Sequence, residues 1–124
     1  MTRIHDVAVI GVGPAGLAAA TATASLGLST IAFDESPSPG GAIYRALTTT
    51  PVRRPEVLGP DYWRGGNLVH AFQAAGAEYL PATSVWGVAR RDDGAFDLGV
   101  TGGRPAARVA ETFAARAFVM ATGT

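Results

Sequence analysis

Three glycines, Gly11, Gly13 and Gly16, stand directly after the apolar run Val7-Ala8-Val9-Ile10 and open an alanine-rich stretch. Their GxGxxG spacing is what a strand needs in order to turn sharply into a helix, since glycine accepts the turn's backbone angles and lets neighbouring backbone approach. A helix begun in this way presents free N–H groups and partial positive charge at its first turn, an arrangement that takes the pyrophosphate of a dinucleotide. A tight βα turn with no ligand would use the same glycines, and Asp34 weighs against that plainer reading. It ends the next apolar run, about 20 residues past the motif, where an acid accepts hydrogen bonds from ribose hydroxyls. Its neighbour Glu35 is the second candidate, with an exposed loop acid as the simpler reading.

The rest of the chain is organised around that unit. A strand over 6–10, a helix from Pro14 to Leu26 closed by Gly27 and a strand over 29–33 make one βαβ unit. Pro14 suits a first helical turn. Both strands are continuous apolar runs, the pattern expected where helices cover both faces of a parallel sheet. From Ser36 to Gly66 the composition shifts to Pro, Gly, Thr and Arg, which predicts a long irregular connection with a short helix near 42–47. Leu68, Val69, Phe72 and Ala75 then recur at helical spacing within 61–75. A third parallel strand follows at 77–80. Residues 85–90 and 95–100 flank the turn Arg91-Asp92-Asp93-Gly94 as a β-hairpin. Gly102-Gly103 predicts another turn, 107–113 a third meander strand, and 117–121 a separate strand returning to the main sheet.

At 124 residues the chain suffices for one domain and one core, and is short for an enzyme holding both a dinucleotide and a substrate. Ten basic residues balance ten acidic ones, so net charge favours neither nucleic acid nor an anionic membrane surface. The absence of cysteine removes disulfides, thiolate metal sites, iron–sulfur ligands and a redox-active CxxC, and no metal site is expected. Residues 7–28 carry no charge and follow Met1-Thr2-Arg3, which invites reading a signal peptide or membrane span. The ordered spacing of Gly11, Gly13, Pro14, Gly16 and Gly27 is foreign to either, so a soluble, cytoplasmic protein is expected.

The run Asp6 to Leu17, the acid at 34, the Gly40-Gly41 pair and Val119 to Gly123 together resemble the FAD domain of the two-dinucleotide-fold flavoproteins. Within that group, Pro39 to Arg45 and Leu58 to Gly65 resemble the large subunits of opine oxidase, hydrogen cyanide synthase and D-hydroxyproline dehydrogenase. The resemblance implies an α/β, Rossmann-like FAD-binding βαβ fold with a parallel sheet and an inserted antiparallel β-meander. It spans residues 1–124 as the N-terminal portion of an FAD/NAD(P)-binding domain and predicts that the chain is an incomplete domain. It also implies oxidation of an amino- or imino-acid-type C–N bond in a complete protein. FAD is the implied cofactor, with NAD(P) as a second in the complete protein; the implied partners are missing C-terminal segments or a second oxidoreductase subunit, and a small-molecule substrate. By the same resemblance Gly11, Gly13, Ala15 and Gly16 surround the FAD pyrophosphate at the helix start near Pro14, Asp34 holds the adenosine ribose, and Gly41 and Ala42 lie along the cofactor. Val85 meets adenine through its backbone, and Thr122 and Gly123 form a second cofactor-contacting turn. Ala42 departs from the more usual glutamine of the motif, and the lack of cysteine after Gly41 argues against the disulfide-reductase branch.

No catalytic residue is assigned. His5 and His70 lack a Ser, Cys or carboxylate at catalytic spacing and read as structural or exposed. Arg53-Arg54, Tyr44, Tyr62, Trp63 and the charged run 90–93 read as solvent-facing or loop-packing groups. Two rival readings stay open: a pyridine-nucleotide enzyme using the same turn for NAD, and a catalytically inert truncated fragment.

Overall fold

The computed structural model describes residues 3–36, 60–102 and 109–122. In chain order the elements are β1 (Ile4–Ile10), α1 (Pro14–Ser25), β2 (Thr30–Phe33), α2 (Pro60–Ala75), β3 (Glu78–Leu80), β4 (Thr83–Arg90), β5 (Phe96–Gly102) and β6 (Val109–Met120). The strands form one sheet in the order β3-β2-β1-β6-β5-β4. The α/β class and the parallel pairing of β1, β2 and β3 follow the expectation. The short helix anticipated near 42–47 lies outside the described residues, and α2 occupies the end of the stretch read as irregular.

Each apolar strand serves two different layers. Val7 and Val9 of β1 and Ala32 of β2 pack with Leu17 and Ala20 of α1 and Val69 and Phe72 of α2. The intervening residues Ala8, Ile10, Ile31 and Phe33 face Leu98, Val100 and Ala115. Helices therefore cover one face and the β4–β5–β6 meander covers the other, which corrects the expectation of helices on both. An unbroken apolar run reports burial on both sides of a strand and is silent about whether a helix or a sheet does the covering.

The last two expected strands are a single one. Residues 109–115 of β6 pair antiparallel with β5, and residues 114–120 pair parallel with β1. Ala114 and Ala115 are fully buried at the handover. The Ala-Ala-Arg-Ala stretch has weak strand propensity on its own, and packing overrides it.

Two residues, Pro81 and Ala82, connect β3 at one edge of the sheet to β4 at the other. That connection requires the sheet to curl, folding the meander back over β2. The corner is held by backbone bonds from Ala82 N–H to Ser36 O (2.9 Å) and Thr83 N–H to Asp34 O (2.8 Å). The Thr83 hydroxyl donates to Pro81 O at 2.9 Å. Ala82 takes φ +51°, a left-handed conformation that costs a non-glycine residue about 1–2 kcal/mol. The start of β4 and the end of β2 are thereby stitched together, and the candidate site lies at this seam.

Candidate functional site

Between the C-terminal ends of β1, β2 and β6 and the overhanging start of β4 lies a cleft of about 570 Å³. Its floor is Gly11, Gly13 and the segment Phe33 to Ser36. One wall is Thr83 and Val85 to Val88, and the other is Met120 to Thr122. Ligands of open α/β sheets bind at this end of the strands, where connections leave in opposite directions.

The three glycines have three different reasons. Gly11 has φ +97°, and a Cβ there would lie 2.5 Å from Ala121 O and 2.8 Å from Thr122 Cα. Its N–H is bonded to Phe33 O at 2.8 Å, and Ala121 N–H to Ile10 O at 2.8 Å, so neither backbone is free to withdraw. At Gly16 a Cβ would collide with the Gly11 carbonyl oxygen. Gly13 is different: nothing lies within 4 Å of where its Cβ would stand, and its φ of −79° suits any L residue. The protein itself gives no reason for glycine at 13, which lines the cleft.

Gly13 is the N-cap of α1 and Pro14 its first residue, with no side-chain cap and no acidic residue in the first turn. Leu17 N–H is the first to find a helical carbonyl, Gly13 O at 2.8 Å. By helix geometry the N–H groups of Ala15 and Gly16 precede that ladder, and the positive end of the helix stays uncompensated by its own residues. Asp34 closes the other side. Its Oδ1 accepts Val12 N–H at 3.2 Å, which holds the carboxylate against the glycine turn. Glu35 is exposed.

Of the residues singled out in the sequence, Gly11, Gly13, Asp34, Glu35, Val85 and Thr122 line the cleft. Pro14, Ala15 and Gly16 form the adjoining first turn of α1. Gly41, Ala42 and Gly123 lie outside the described residues. The structure adds Ser36 and Met120 beside the ends of β2 and β6, and Thr83 and Trp86 of β4, which reach the cleft because the sheet curls. Trp86 sits at an irregularity in the β4–β5 register between Val85 and Gly87, its ring resting where a Cβ on Gly99 would stand. A Trp-Gly pair inside a strand is the one local signal that could have pointed to it. His5 is buried at the opposite end of β1, with Nε2 3.3 Å from Glu78 Oε1, and has no part in the cleft.

Tyr79 of β3 packs edge-to-face on Phe72 with ring centroids 5.5 Å apart. Burial, and then the charge of Asp34, push its phenol up from 10.0 to about 12. The folded state thus holds this proton more tightly than the unfolded chain does. The resulting stability is fully present below pH 10 and is lost as pH rises through about 12. The sequence has no lysine or cysteine and three tyrosines, so few other side chains titrate in that window. Tyr79→Phe is expected to flatten the loss of stability between about pH 10 and 12, read as Tm against pH. An unchanged slope would sink this account.

A strand, glycine turn and helix, followed by a second strand ending in an acid, define the dinucleotide-binding βαβ module. The model of the FAD dependent oxidoreductase family matches residues 6–70, and the chain belongs to that family. The opine oxidase A subunit of Agrobacterium tumefaciens (strain Ach5) is 38% identical over 123 residues, which is 99% of this chain and 24% of that protein. The corresponding opine oxidase subunit of Rhizobium meliloti is 36% identical over 99% of this chain and 23% of its own length. The crystal structure of L-proline dehydrogenase from P. horikoshii superposes with a TM-score of 0.71 at 24% identity, covering 98% of this chain and 23% of that one. The chain thus spans about a quarter of the length of these relatives. Among the described residues no helix is long and apolar enough to cross a membrane.

Proposed function

We propose that this chain is the adenosine- and pyrophosphate-binding portion of a flavoprotein that oxidises an amino- or imino-acid-type C–N bond, with FAD as its cofactor. The observation that carries the reading is Gly13, a glycine the packing does not require, which lines the cleft as the N-cap of α1. Absence of a side chain there lets backbone approach a pyrophosphate, so the residues present fit the group. Ala15 and Gly16 supply N–H donors, Asp34 accepts from the adenosine ribose, and Val85 meets the base along the edge of β4. Thr122 with Gly123, and Gly41 with Ala42, border the remainder of the cofactor. Bound flavin supplies the two-electron acceptor that C–N oxidation requires.

The reaction class is supported by the opine oxidase relatives and by the family, and the reading extends to a complete protein of which residues 1–124 are the N-terminal part. A second oxidoreductase subunit is the proposed partner, since the opine oxidase relatives are themselves named as subunits. NAD(P) is proposed as a second cofactor of the complete protein, and the cytoplasm as its location.

The test is the absorbance between about 350 and 500 nm of the protein purified without added cofactor, followed by titration with FAD and with NAD. Retained flavin, or binding selective for FAD, is expected. Gly13→Val is expected to lose the flavin while shifting stability by less than about 1 kcal/mol, because nothing lies within 4 Å of the Cβ it adds. Wild-type flavin occupancy in Gly13→Val would show that the pyrophosphate sits elsewhere, and selectivity for NAD would replace FAD in the reading.

A further inference from the structure

Tyr79 carries a buried hydroxyl that has no hydrogen-bond partner among the described residues. A buried hydroxyl in that state is unfavourable, and retaining one calls for a reason. Its place in the sheet supplies a candidate. Tyr79 stands opposite Ala32 in the parallel β2–β3 pairing, on the face covered by the helices. Asp34 lies two residues beyond Ala32 and so returns to that same face, with its own N–H bonded to Leu80 O at 3.2 Å. The two Cα atoms are then about 8 Å apart by sheet geometry, a span within the reach of a tyrosine side chain. One carboxylate oxygen of Asp34, Oδ1, is already committed to Val12 N–H. Among the described residues Oδ2 has no donor.

Building on the dinucleotide reading, we infer that Tyr79 is a positioning residue for Asp34, its hydroxyl donating to the free carboxylate oxygen when a ribose occupies the site. Val12 and Tyr79 then clamp the carboxylate from two directions, and the remaining lone pairs of both oxygens accept the ribose hydroxyls. Tyr79 does not touch the ligand; it sets the angle at which Asp34 presents itself. The raised ionisation of Tyr79, caused in part by Asp34, is in keeping with that proximity.

Calorimetric titration of the cofactor-free protein with ADP and with 2′-deoxy-ADP tests this in four forms: wild type, Tyr79→Phe, Asp34→Asn and the double variant. Tyr79→Phe is expected to keep or raise its Tm, since it removes an unpaired buried hydroxyl, and to weaken ADP about ten-fold. The loss should disappear in the Asp34→Asn background and shrink with 2′-deoxy-ADP. Equal ADP affinity in wild type and Tyr79→Phe overturns the inference and leaves the dinucleotide reading standing. So does a loss that persists undiminished in the Asp34→Asn background, since Tyr79 would then act by some route other than Asp34. Failure of the wild type to bind ADP at all overturns both.

Discussion

Gly16→Ala is expected to destabilise the fold by about 3 kcal/mol or more, visible as a large drop in the urea midpoint with the slope retained. The added methyl would overlap the Gly11 carbonyl oxygen, and the atoms that must move are backbone. Gly11 is held by its bond to Phe33 O, and the end of β6 is held by Ala121 N–H on Ile10 O, so relief means breaking the β1–β2 or β1–β6 ladder at its end. Against a typical total of about 5–15 kcal/mol, that loss is a substantial share of the stability. Gly13→Ala is the matched control three residues away, with an expected change below about 1 kcal/mol, as its Cβ would meet nothing. A Gly16→Ala protein as stable as wild type would mean that the turn relaxes in a way the hydrogen bonds do not allow.

Phe33→Ala is expected to cost about 3–5 kcal/mol and to abolish dinucleotide binding as well. Phe33 is 1% exposed, packs edge-to-face on Phe113 with centroids 5.3 Å apart, and belongs to the layer joining the parallel strands to the meander. It also borders the cleft, directly before Asp34. Truncating it removes the largest fully buried side chain between β2 and β5–β6, so the wall carrying Val85 loses its support against the floor carrying Asp34. Phe33→Leu should restore part of the stability, since leucine refills most of the space that alanine leaves empty but loses the ring contact with Phe113. Ligand affinity that survived in Phe33→Ala would show that the meander holds its place without this layer.

The contrast between Gly13 and its two partners separates what a motif says from what it does. In the sequence the three glycines are equivalent members of one spacing. In the structure Gly11 and Gly16 are demanded by backbone contact with Ala121, Thr122 and each other, and these demands would exist with no ligand at all. Only Gly13 is left for a ligand to explain. A tight turn that needs no ligand is therefore a sufficient account of two glycines of the three.

Local order determined a good deal of this protein without help from tertiary contacts. The β1–α1–β2 unit, its glycine turn, Pro14 in the first helical turn, the helix through Val69 and Phe72, and the Arg91–Gly94 turn are all set by residues within a few positions of one another. Spacing, backbone angle and capping act over that range and leave their mark in the order of residues. Tertiary structure alone decided that a meander covers the second face of the parallel strands and that 109–120 is one strand shared by two sheet neighbours. It also brought Ser36, Thr83 and Trp86 into one cleft with Gly13, and Tyr79 to the same face as Asp34. Those outcomes depend on which apolar faces meet and on how far the sheet curls at Pro81-Ala82. Burial is favourable for an apolar face whatever covers it, so the pattern of one strand carries no record of its partner.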